Sequence, residues 1–248
     1  MKNVKDTLLQ RRSVRRYKRQ SISDADMQLI YDAIANTPTS YNGQQFTVID
    51  VTDQAKKEQL YEITGQKQIK TCNHFLLFCV DYNRICIGAE AKGLEWPEFN
   101  NTADGLIVGV VDAALAMMSA IVAAESVNLA TCPIGYARTA NPDAVSELLK
   151  LPDKTFAVCG LAIGIPSETP DLKPKLDKSV LIHSDEYKQD GMEEGVLAYD
   201  RLIAEYTLTR SGNVKTHDWI GNILSYYREA MEYEELSALR RKGFDIKR

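Results

Sequence analysis

The sequence predicts a globular domain that mixes α-helices with β-strands, and three observations indicate this class. The 248 residues are 44% apolar and 26% charged, a balance typical of folded globular chains. Apolar side chains recur at helical spacing, as where Met27, Ile30 and Ile34 share one face of a segment. Residues 46–51 have the composition of a strand, and 75–81 contain an apolar run of strand length that is unbroken up to Asp81. No internal repeat or linker interrupts the chain, so we expect a single domain over residues 1–248.

The N-terminal half is predicted to alternate helices and strands. Ser23 is a good helix N-cap, and Asp26 three residues later completes a capping box. The polar run after this helix is dense in turn-forming residues and predicts a loop. In order, we predict a helix at 3–10, a helix at 23–36, a loop at 36–45, a strand at 46–51, a helix at 53–63, a strand at 75–81 and an irregular stretch at 82–102.

Residues 103–128 are the most apolar segment and raise the question of a membrane span. The run exceeds the ~18 apolar residues of a candidate span. However, Asp112 sits in its middle, where burial in a bilayer costs roughly 2.5–3.5 kcal/mol, and no Lys or Arg cluster flanks it. Small residues, among them Gly109, Ala113 and Ala116, recur along it. We therefore predict a central helix of a soluble protein, covered by a large core or a subunit interface.

The C-terminal half is predicted to be mainly helical. Pro166 ends the one strand predicted there, and Lys and Pro residues make the segment that follows irregular. In order, we predict a loop at 130–139, a helix at 143–150, a strand at 154–166, an irregular segment at 170–179, a helix at 193–209, a loop at 211–218 and a helix from about Trp219.

The positive charge is concentrated at the N-terminus. Residues 1–19 hold eight basic side chains and one acidic one, a net charge of +7, so the remaining chain carries −11 of the total of −4. Arg11, Arg12 and Arg15 offer planar guanidinium groups, which bind phosphate bidentately, and Ser13 adds a hydroxyl. This segment predicts an anion site, and the alternatives are a solvated basic turn or a nucleic-acid contact. The acidic remainder and the lack of a nucleic-acid module disfavour the last alternative.

Motifs of metal and thiol chemistry are absent from the sequence. The three histidines, His74, His183 and His217, lie far apart, so we expect no metal site. The five cysteines contain no CxxC pair, which disfavours a thiol-redox enzyme and indicates reduced thiols in the cytoplasm. The sequence has no glycine-rich phosphate-binding motif and no visible secretory signal.

Four stretches taken in order carry a family resemblance. They are the basic RRSVRRY segment, the polar loop SYNGQQ, the apolar helix that runs into AAESVNLATCPIGYAR, and PDLKPKL followed by HSDEY. With these motifs the chain resembles the nitroreductase superfamily, and within it the NADPH-dependent flavin reductases and oxygen-insensitive nitroreductases. The resemblance implies an α+β fold, a three-layer α-β-α sandwich, in an interlocked homodimer whose C-terminal extension embraces the partner. It also implies a tightly bound, non-covalent FMN.

The resemblance implies specific roles for individual residues. Lys173 would stabilise the N1–C2 carbonyl edge of the flavin and is the expected catalytic residue. Arg210 and Lys215 would bind the 2′-phosphate of NADPH. The remaining expected FMN contacts are Arg11, Arg12, Ser13, Arg15 and Lys175 at the phosphate, and Ser40, Asn42, Gln44, Gln66, Pro133, Ile134, Gly135 and Tyr136 near the ring system.

The implied activity is two-electron transfer by a ping-pong mechanism. NADPH would reduce FMN, and the reduced flavin would then reduce a nitroaromatic compound, a quinone or free flavin. Many relatives of this branch have Tyr at the position of Pro133 and Gly at that of Tyr136, which leaves the choice of acceptor open. The alternatives are another flavin-dependent member of the superfamily, or a non-enzymatic nucleic-acid-binding protein with a basic N-terminal arm. We expect no membrane and no nucleic-acid partner.

Overall fold

The computed structural model describes residues 2–210 and 218–246, and the chain divides into two compact units. The first unit comprises Met1–Thr169 with Glu234–Arg248, and the second comprises Pro170–Tyr233. A single domain over the whole chain stays a prediction.

The strands are β1 (Phe46–Val51), β2 (His74–Asp81), β3 (Ala130–Ile134) and β4 (Thr155–Gly164). The helices are α1 (Val4–Gln10), α2 (Asp24–Ala35), α3 (Gln54–Thr64), α4 (Lys67–Thr71), α5 (Asn83–Ala91), α6 (Ala103–Ser126), α7 (Tyr136–Thr139), α8 (Pro142–Leu148), α9 (Lys178–Leu181), α10 (Met192–Thr209), α11 (Trp219–Ala230) and α12 (Glu235–Arg241).

The four strands form one antiparallel sheet in the order β1-β2-β4-β3. The central strand β2 is buried on both faces, which explains its unbroken apolar run. A register shift between Phe78 and Cys79 marks a bulge against β4. The Val158 carbonyl there accepts a hydrogen bond from Arg138 Nη1 at 2.7 Å, and Arg138 Nε donates to Glu235 at 3.0 Å. Arg138 therefore ties the bulge to α12.

Apolar side chains fill both faces of this sheet. On one face, Phe78 packs in a cluster with Ile30 of α2 and Ala116 of α6. On the other face, Leu77 packs with Leu60 of α3 and with α4 and α8. Alternate residues of β2 thus supply two separate cores, as the two-residue period of a strand requires. The predicted mixture of helices and sheet is confirmed.

The predicted central helix is confirmed in α6, which lies against β2 and α2. The Thr102 side chain caps it by accepting a hydrogen bond from the Gly105 N–H. Its inner face is lined by alanines that have no solvent exposure, and Asp112 is also fully buried. Length and composition would allow α6 to cross a membrane. Its contacts with the sheet are instead those of a core helix.

One side of α6 remains exposed in the single chain. Ile107, Val111, Leu115 and Met118 recur every three or four residues, which places them on one stripe, and they are 60%, 45%, 43% and 38% exposed. The described residues therefore leave this stripe of α6 uncovered. The prediction that the helix is covered on every side would require another surface to pack against the stripe.

The second unit is built around α10. The Tyr199 ring packs edge-on against Trp219 with 5.2 Å between ring centroids. The Tyr199 hydroxyl donates to the Pro174 carbonyl at 3.1 Å, and the Ile220 N–H donates to Asp200 at 2.8 Å. These contacts join α10 both to α11 and to the segment that precedes α9.

Two stretches that we predicted to be irregular are ordered. Residues 82–102 contain α5, which has no buried residue and therefore no apolar stripe in the sequence. Residues 130–139 contain β3 and α7 rather than a loop. A strand can contain Pro133 here because β3 pairs within the sheet only with β4, and an edge strand accommodates the missing N–H of a proline.

The contact between α6 and β2 depends on the absence of a side chain at Gly109. A Cβ atom there would overlap Val80 in the core. We expect Gly109→Ala to lower the free energy of unfolding by about 1–3 kcal/mol, because overpacking forces the helix away from the sheet. Gly88→Ala is the matched control, since Gly88 lies within α5 with no atom within 4 Å of the added Cβ. It should stabilise by about 0.5–1 kcal/mol. Equal urea midpoints for the two variants would contradict this close contact.

Candidate functional site

The basic segment runs beside the edge strand of the sheet. It begins at Arg11, the C-cap of α1. Ser13 forms a parallel bridge with Thr131 of β3, and the Val14 N–H donates to the Thr131 carbonyl at 3.0 Å. The buried Tyr17 hydroxyl donates to the Val14 carbonyl at 2.7 Å. These bonds fix Arg11, Arg12 and Ser13 against β3.

Two of these arginines carry buried donors that the rest of the described chain leaves unused. Arg11 Nε and Nη2 and Arg12 Nε are buried and have no hydrogen-bond partner among the described residues. Leaving a buried charged donor unpaired is costly, so such groups imply an acceptor. A phosphate group offers several acceptor oxygens to a guanidinium fork. The arrangement therefore fits the phosphate of a bound cofactor.

Glu125 connects this segment with the end of α6. It is buried, and its Oε1 accepts a hydrogen bond from the Thr131 hydroxyl at 2.6 Å and lies 3.8 Å from Arg11 Nε. Burial raises the pKa of Glu125, while the hydrogen bond from Thr131 and the charge of Arg11 lower it. The carboxyl group therefore orients Arg11 from the side of the helix. Sequence reasoning missed Glu125, although it is an acidic residue at the end of an otherwise apolar run.

The remaining phosphate candidates are more exposed. Arg15 is exposed, and its backbone N–H donates to Glu168 at 2.8 Å. Lys173 and Lys175 belong to the second unit, where they are exposed on either side of Pro174. The structure thus brings Arg11, Arg12 and Ser13 together in the first unit, while the two lysines belong to the second unit.

Ser40, Asn42 and Gln44 lie in the loop between α2 and β1. Ser40 is half-buried, and Asn42 and Gln44 are exposed. Tyr41, Asn42 and Gln44 have φ values of 57°, 53° and 51°, in the left-handed region that non-glycine residues rarely adopt. Three such residues within four positions make this a strained loop, a feature that often marks functional sites.

The segment from Pro133 to Tyr136 ends β3 and begins α7. Ile134 is buried, Pro133 and Tyr136 are half-buried, and Gly135 is exposed. A Cβ atom on Gly135 would meet no other atom within 4 Å, so the packing of the chain does not require a glycine there. The space beside Gly135 is therefore open.

The other predicted contacts lie at helix ends. Gln66 is the N-cap residue of α4, and its Oε1 accepts a hydrogen bond from Gln68 Nε2 at 2.8 Å. Arg210 is the C-cap residue of α10, and its backbone N–H donates to Tyr206. Lys215, the second residue predicted at the NADPH 2′-phosphate, lies outside the described residues.

The cysteines form no disulfide. All five are free thiols. Burial raises the pKa of Cys72 to about 12, which keeps this thiol protonated at neutral pH. Within residues 2–210 and 218–246, no group of three or more His, Cys, Asp or Glu side chains is arranged to hold a metal ion.

Comparison with known proteins places these features in a family. The Nitroreductase family model matches residues 8–165, and the model of the Nitroreductase family C-terminal domain matches residues 173–247. An FMN reductase [NAD(P)H] of Bacillus subtilis is 36% identical over 251 residues and covers 100% of both chains. An oxygen-insensitive NADPH nitroreductase of Salmonella typhimurium is 37% identical over 217 residues, which are 86% of this chain and 85% of that protein.

A solved structure agrees with this assignment. The hypothetical oxidoreductase YcnD from Bacillus subtilis superimposes with a TM-score of 0.94 at 35% identity, over 100% of both chains. The family model covers the basic segment, the strained loop and the edge strand, and the C-terminal model covers the two lysines. The chain belongs to the nitroreductase family.

Proposed function

We propose that this protein is an FMN-dependent NAD(P)H oxidoreductase that reduces nitroaromatic compounds, quinones or free flavin. The observation that carries the proposal is the pair of arginines, Arg11 and Arg12, whose buried N–H groups have no acceptor within the described chain. A nitroreductase-family chain whose buried guanidinium N–H groups lack a hydrogen-bond acceptor at a sheet edge is suited to a phosphorylated flavin. The relatives named FMN reductase and NADPH nitroreductase support the same activity.

Arg11, Arg12 and Ser13 would hold the FMN phosphate, with Arg15 and Lys175 as further cationic contacts. When bound, FMN supplies the two-electron chemistry that links the nicotinamide donor to the acceptor. The backbone at Gly135 and Tyr136 would orient the ring system from the edge of the sheet. Gln66, Pro133, Ile134 and the loop residues Ser40, Asn42 and Gln44 would line the remaining surface.

Lys173 would place a positive charge at the edge of the flavin that gains negative charge on reduction. Such a charge is most effective in a site from which water is excluded. Arg210 and Lys215 would bind the additional phosphate of NADPH, which makes NADPH the preferred donor. Donor and acceptor would use the same face in turn, which gives ping-pong kinetics in a cytoplasmic enzyme.

A second copy of the chain would complete the site. Asp112, which contacts the strained loop, and Glu125, which contacts Arg11, are thirteen residues apart on α6, a separation of about 20 Å along the helix. Within one chain, the strained loop and Arg11 are therefore held far apart. One cofactor contacts both more readily when the loop comes from one chain and Arg11 from its partner. The exposed apolar stripe of α6 supports such a homodimer. We propose that its protomers are three-layer α-β-α sandwiches interlocked by their C-terminal segments.

The purified protein should show flavin absorbance near ~450 nm that bleaches on anaerobic addition of NADPH.

Arg11→Ala should weaken FMN binding by about 10–100-fold, because it removes a charge-assisted contact. Titration of FMN into the apoprotein, followed by fluorescence quenching, measures this. Arg16→Ala is the matched control, since the Arg16 side chain is 80% exposed and should leave affinity within about twofold. A colourless protein that takes up no FMN would refute the proposed function.

Lys173→Ala should lower the rate of flavin reduction by NADPH more than it lowers FMN retention, because the charge acts mainly on the reduced state. Stopped-flow absorbance measures the rate, and equilibrium dialysis measures retention. Lys178→Ala, an exposed lysine in α9, is the control. Equal reduction rates in the Lys173 variant and the parent would remove this role.

Leu115→Arg should convert a dimer into a monomer, because it places a charge within the apolar stripe of α6. Light scattering after size exclusion should give about twice the chain mass of 27.8 kDa for the parent and about that mass for the variant. Ile87→Arg on α5, at a side chain that is 56% exposed, should stay dimeric. A monomeric parent would contradict the homodimer.

A further inference from the structure

The strained loop at residues 39–45 needs an external restraint. Tyr41, Asn42 and Gln44 each occupy the left-handed region, where the Cβ atom of an L-residue crowds the backbone. Strained residues of this kind persist only where the surrounding structure holds them. Inside the loop, the Gln44 N–H donates to Thr39 Oγ1 at 3.2 Å and the Gly43 N–H to the Ser40 carbonyl at 2.9 Å. The Asn42 N–H also donates to the Thr39 carbonyl at 3.2 Å, and Gln44 Nε2 donates to the Asn42 carbonyl at 3.5 Å. All four bonds lie within the loop, so none of them ties it to the rest of the chain.

The first restraint is the carboxylate of Asp112. Its Oδ1 accepts a hydrogen bond from the Ser40 N–H at 3.0 Å, and its Oδ2 accepts one from the Gln45 N–H at 3.3 Å. Asp112 has no solvent exposure. Hydrogen bonds to a buried charge are stronger than bonds between neutral groups, so this one side chain fixes both ends of the loop.

The second restraint is the guanidinium group of Arg84 on α5. Its Nη2 donates to the Gln44 carbonyl at 2.7 Å and also to the Phe46 carbonyl. Its Nε lies 3.5 Å from Asp81 Oδ2, and the Asp81 N–H donates to the Gln45 carbonyl at 3.0 Å. Arg84 therefore binds the carbonyl side of the loop, while Asp112 binds its N–H side.

We infer that Asp112 and Arg84 are positioning residues, which hold the loop in the shape in which Ser40, Asn42 and Gln44 contact FMN. The inference rests on the proposed function and extends it to residues that do not touch the cofactor. The placement of Asp112 supports it. A carboxylate in the middle of an apolar helix is costly unless it is paired, and within the described chain both of its hydrogen bonds go to this loop. The charge thus serves the loop rather than the packing of α6.

Asp112→Asn tests the role with almost no change in size. The amide keeps one acceptor and turns its NH₂ group toward the other backbone N–H, so one end of the loop is released. We expect amide hydrogen exchange of a peptide spanning residues 36–46 to accelerate in the apoprotein. The dissociation constant of FMN should rise by about tenfold, since a bond to a charged group is lost.

Asp50→Asn is the matched control. Asp50 is a partly buried carboxylate of β1, outside the loop, and its Oδ2 lies 2.7 Å from His74 Nδ1. It should leave both the FMN affinity and the exchange of the loop unchanged. Arg84→Gln covers the case in which Asp112→Asn does not fold, because the Arg84 side chain is 54% exposed. Arg84→Lys, which retains the positive charge beside Asp81 but not the guanidinium fork, should fall between Arg84→Gln and the parent.

The outcomes distinguish the positioning role of Asp112 and Arg84 from the proposed FMN-dependent function. The positioning role is supported if Asp112→Asn shows faster loop exchange and weaker FMN binding while its melting temperature equals that of the Asp50→Asn control. FMN binding within twofold of the parent in both Asp112→Asn and Arg84→Gln overturns it and leaves the proposed function intact. Weaker binding that is matched by the Asp50→Asn control also overturns it, because the effect would then be a general loss of stability. A parent that binds no FMN overturns the proposed function and this inference together.

Discussion

The packing of α6 against the sheet is the constraint on which the rest of the structure depends. The helix has 24 residues, and its inner face carries only hydrogen or methyl groups at Gly109, Ala113, Ala116 and Ala120. Small side chains let the helix approach β2 closely, and the close approach leaves no room for a larger residue. Because dispersion and burial act over this whole length, the position of α6 relative to the sheet is fixed.

A fixed helix also fixes whatever is bonded to it. Asp112 holds the loop that precedes β1, and Glu125, near the C-terminal end of the helix, holds Arg11 beside β3. The two carboxylates are the buried charges of an otherwise apolar helix, and each is directed at a segment that carries candidate ligand contacts. The spacing between those segments is therefore set by the rise of an α-helix rather than by the flexible loops themselves.

The sequence was sufficient to predict elements whose signals are local. Caps such as Ser23 and apolar stripes located most of the helices, and arginines at the end of α1 indicated an anion site from their chemistry alone. It was insufficient where the stabilising partner is distant. β3 depends on pairing with β4 and with Ser13, and α5 buries no side chain that would mark it.

The same reason explains why the sequence did not indicate the role of Asp112. Its partner Ser40 lies 72 residues away, and only the fold brings the two together. The roles assigned to Lys173, Gln66 and the other ligand contacts stay predictions, since they depend on a bound cofactor.

The two sides of α6 meet opposite requirements, which would link the proposed assembly to the proposed chemistry. The inner side has small residues at Gly109, Ala113, Ala116 and Ala120, which allow the helix to pack closely in the core. The outer side presents Ile107, Val111, Leu115 and Met118, residues too large and apolar to favour contact with water. A partner that covers the outer side adds its contact energy to the same helix that positions the loop and Arg11. Loss of the partner would then loosen the helix that carries both carboxylates, so cofactor affinity and subunit association should respond together to substitutions on either side of α6.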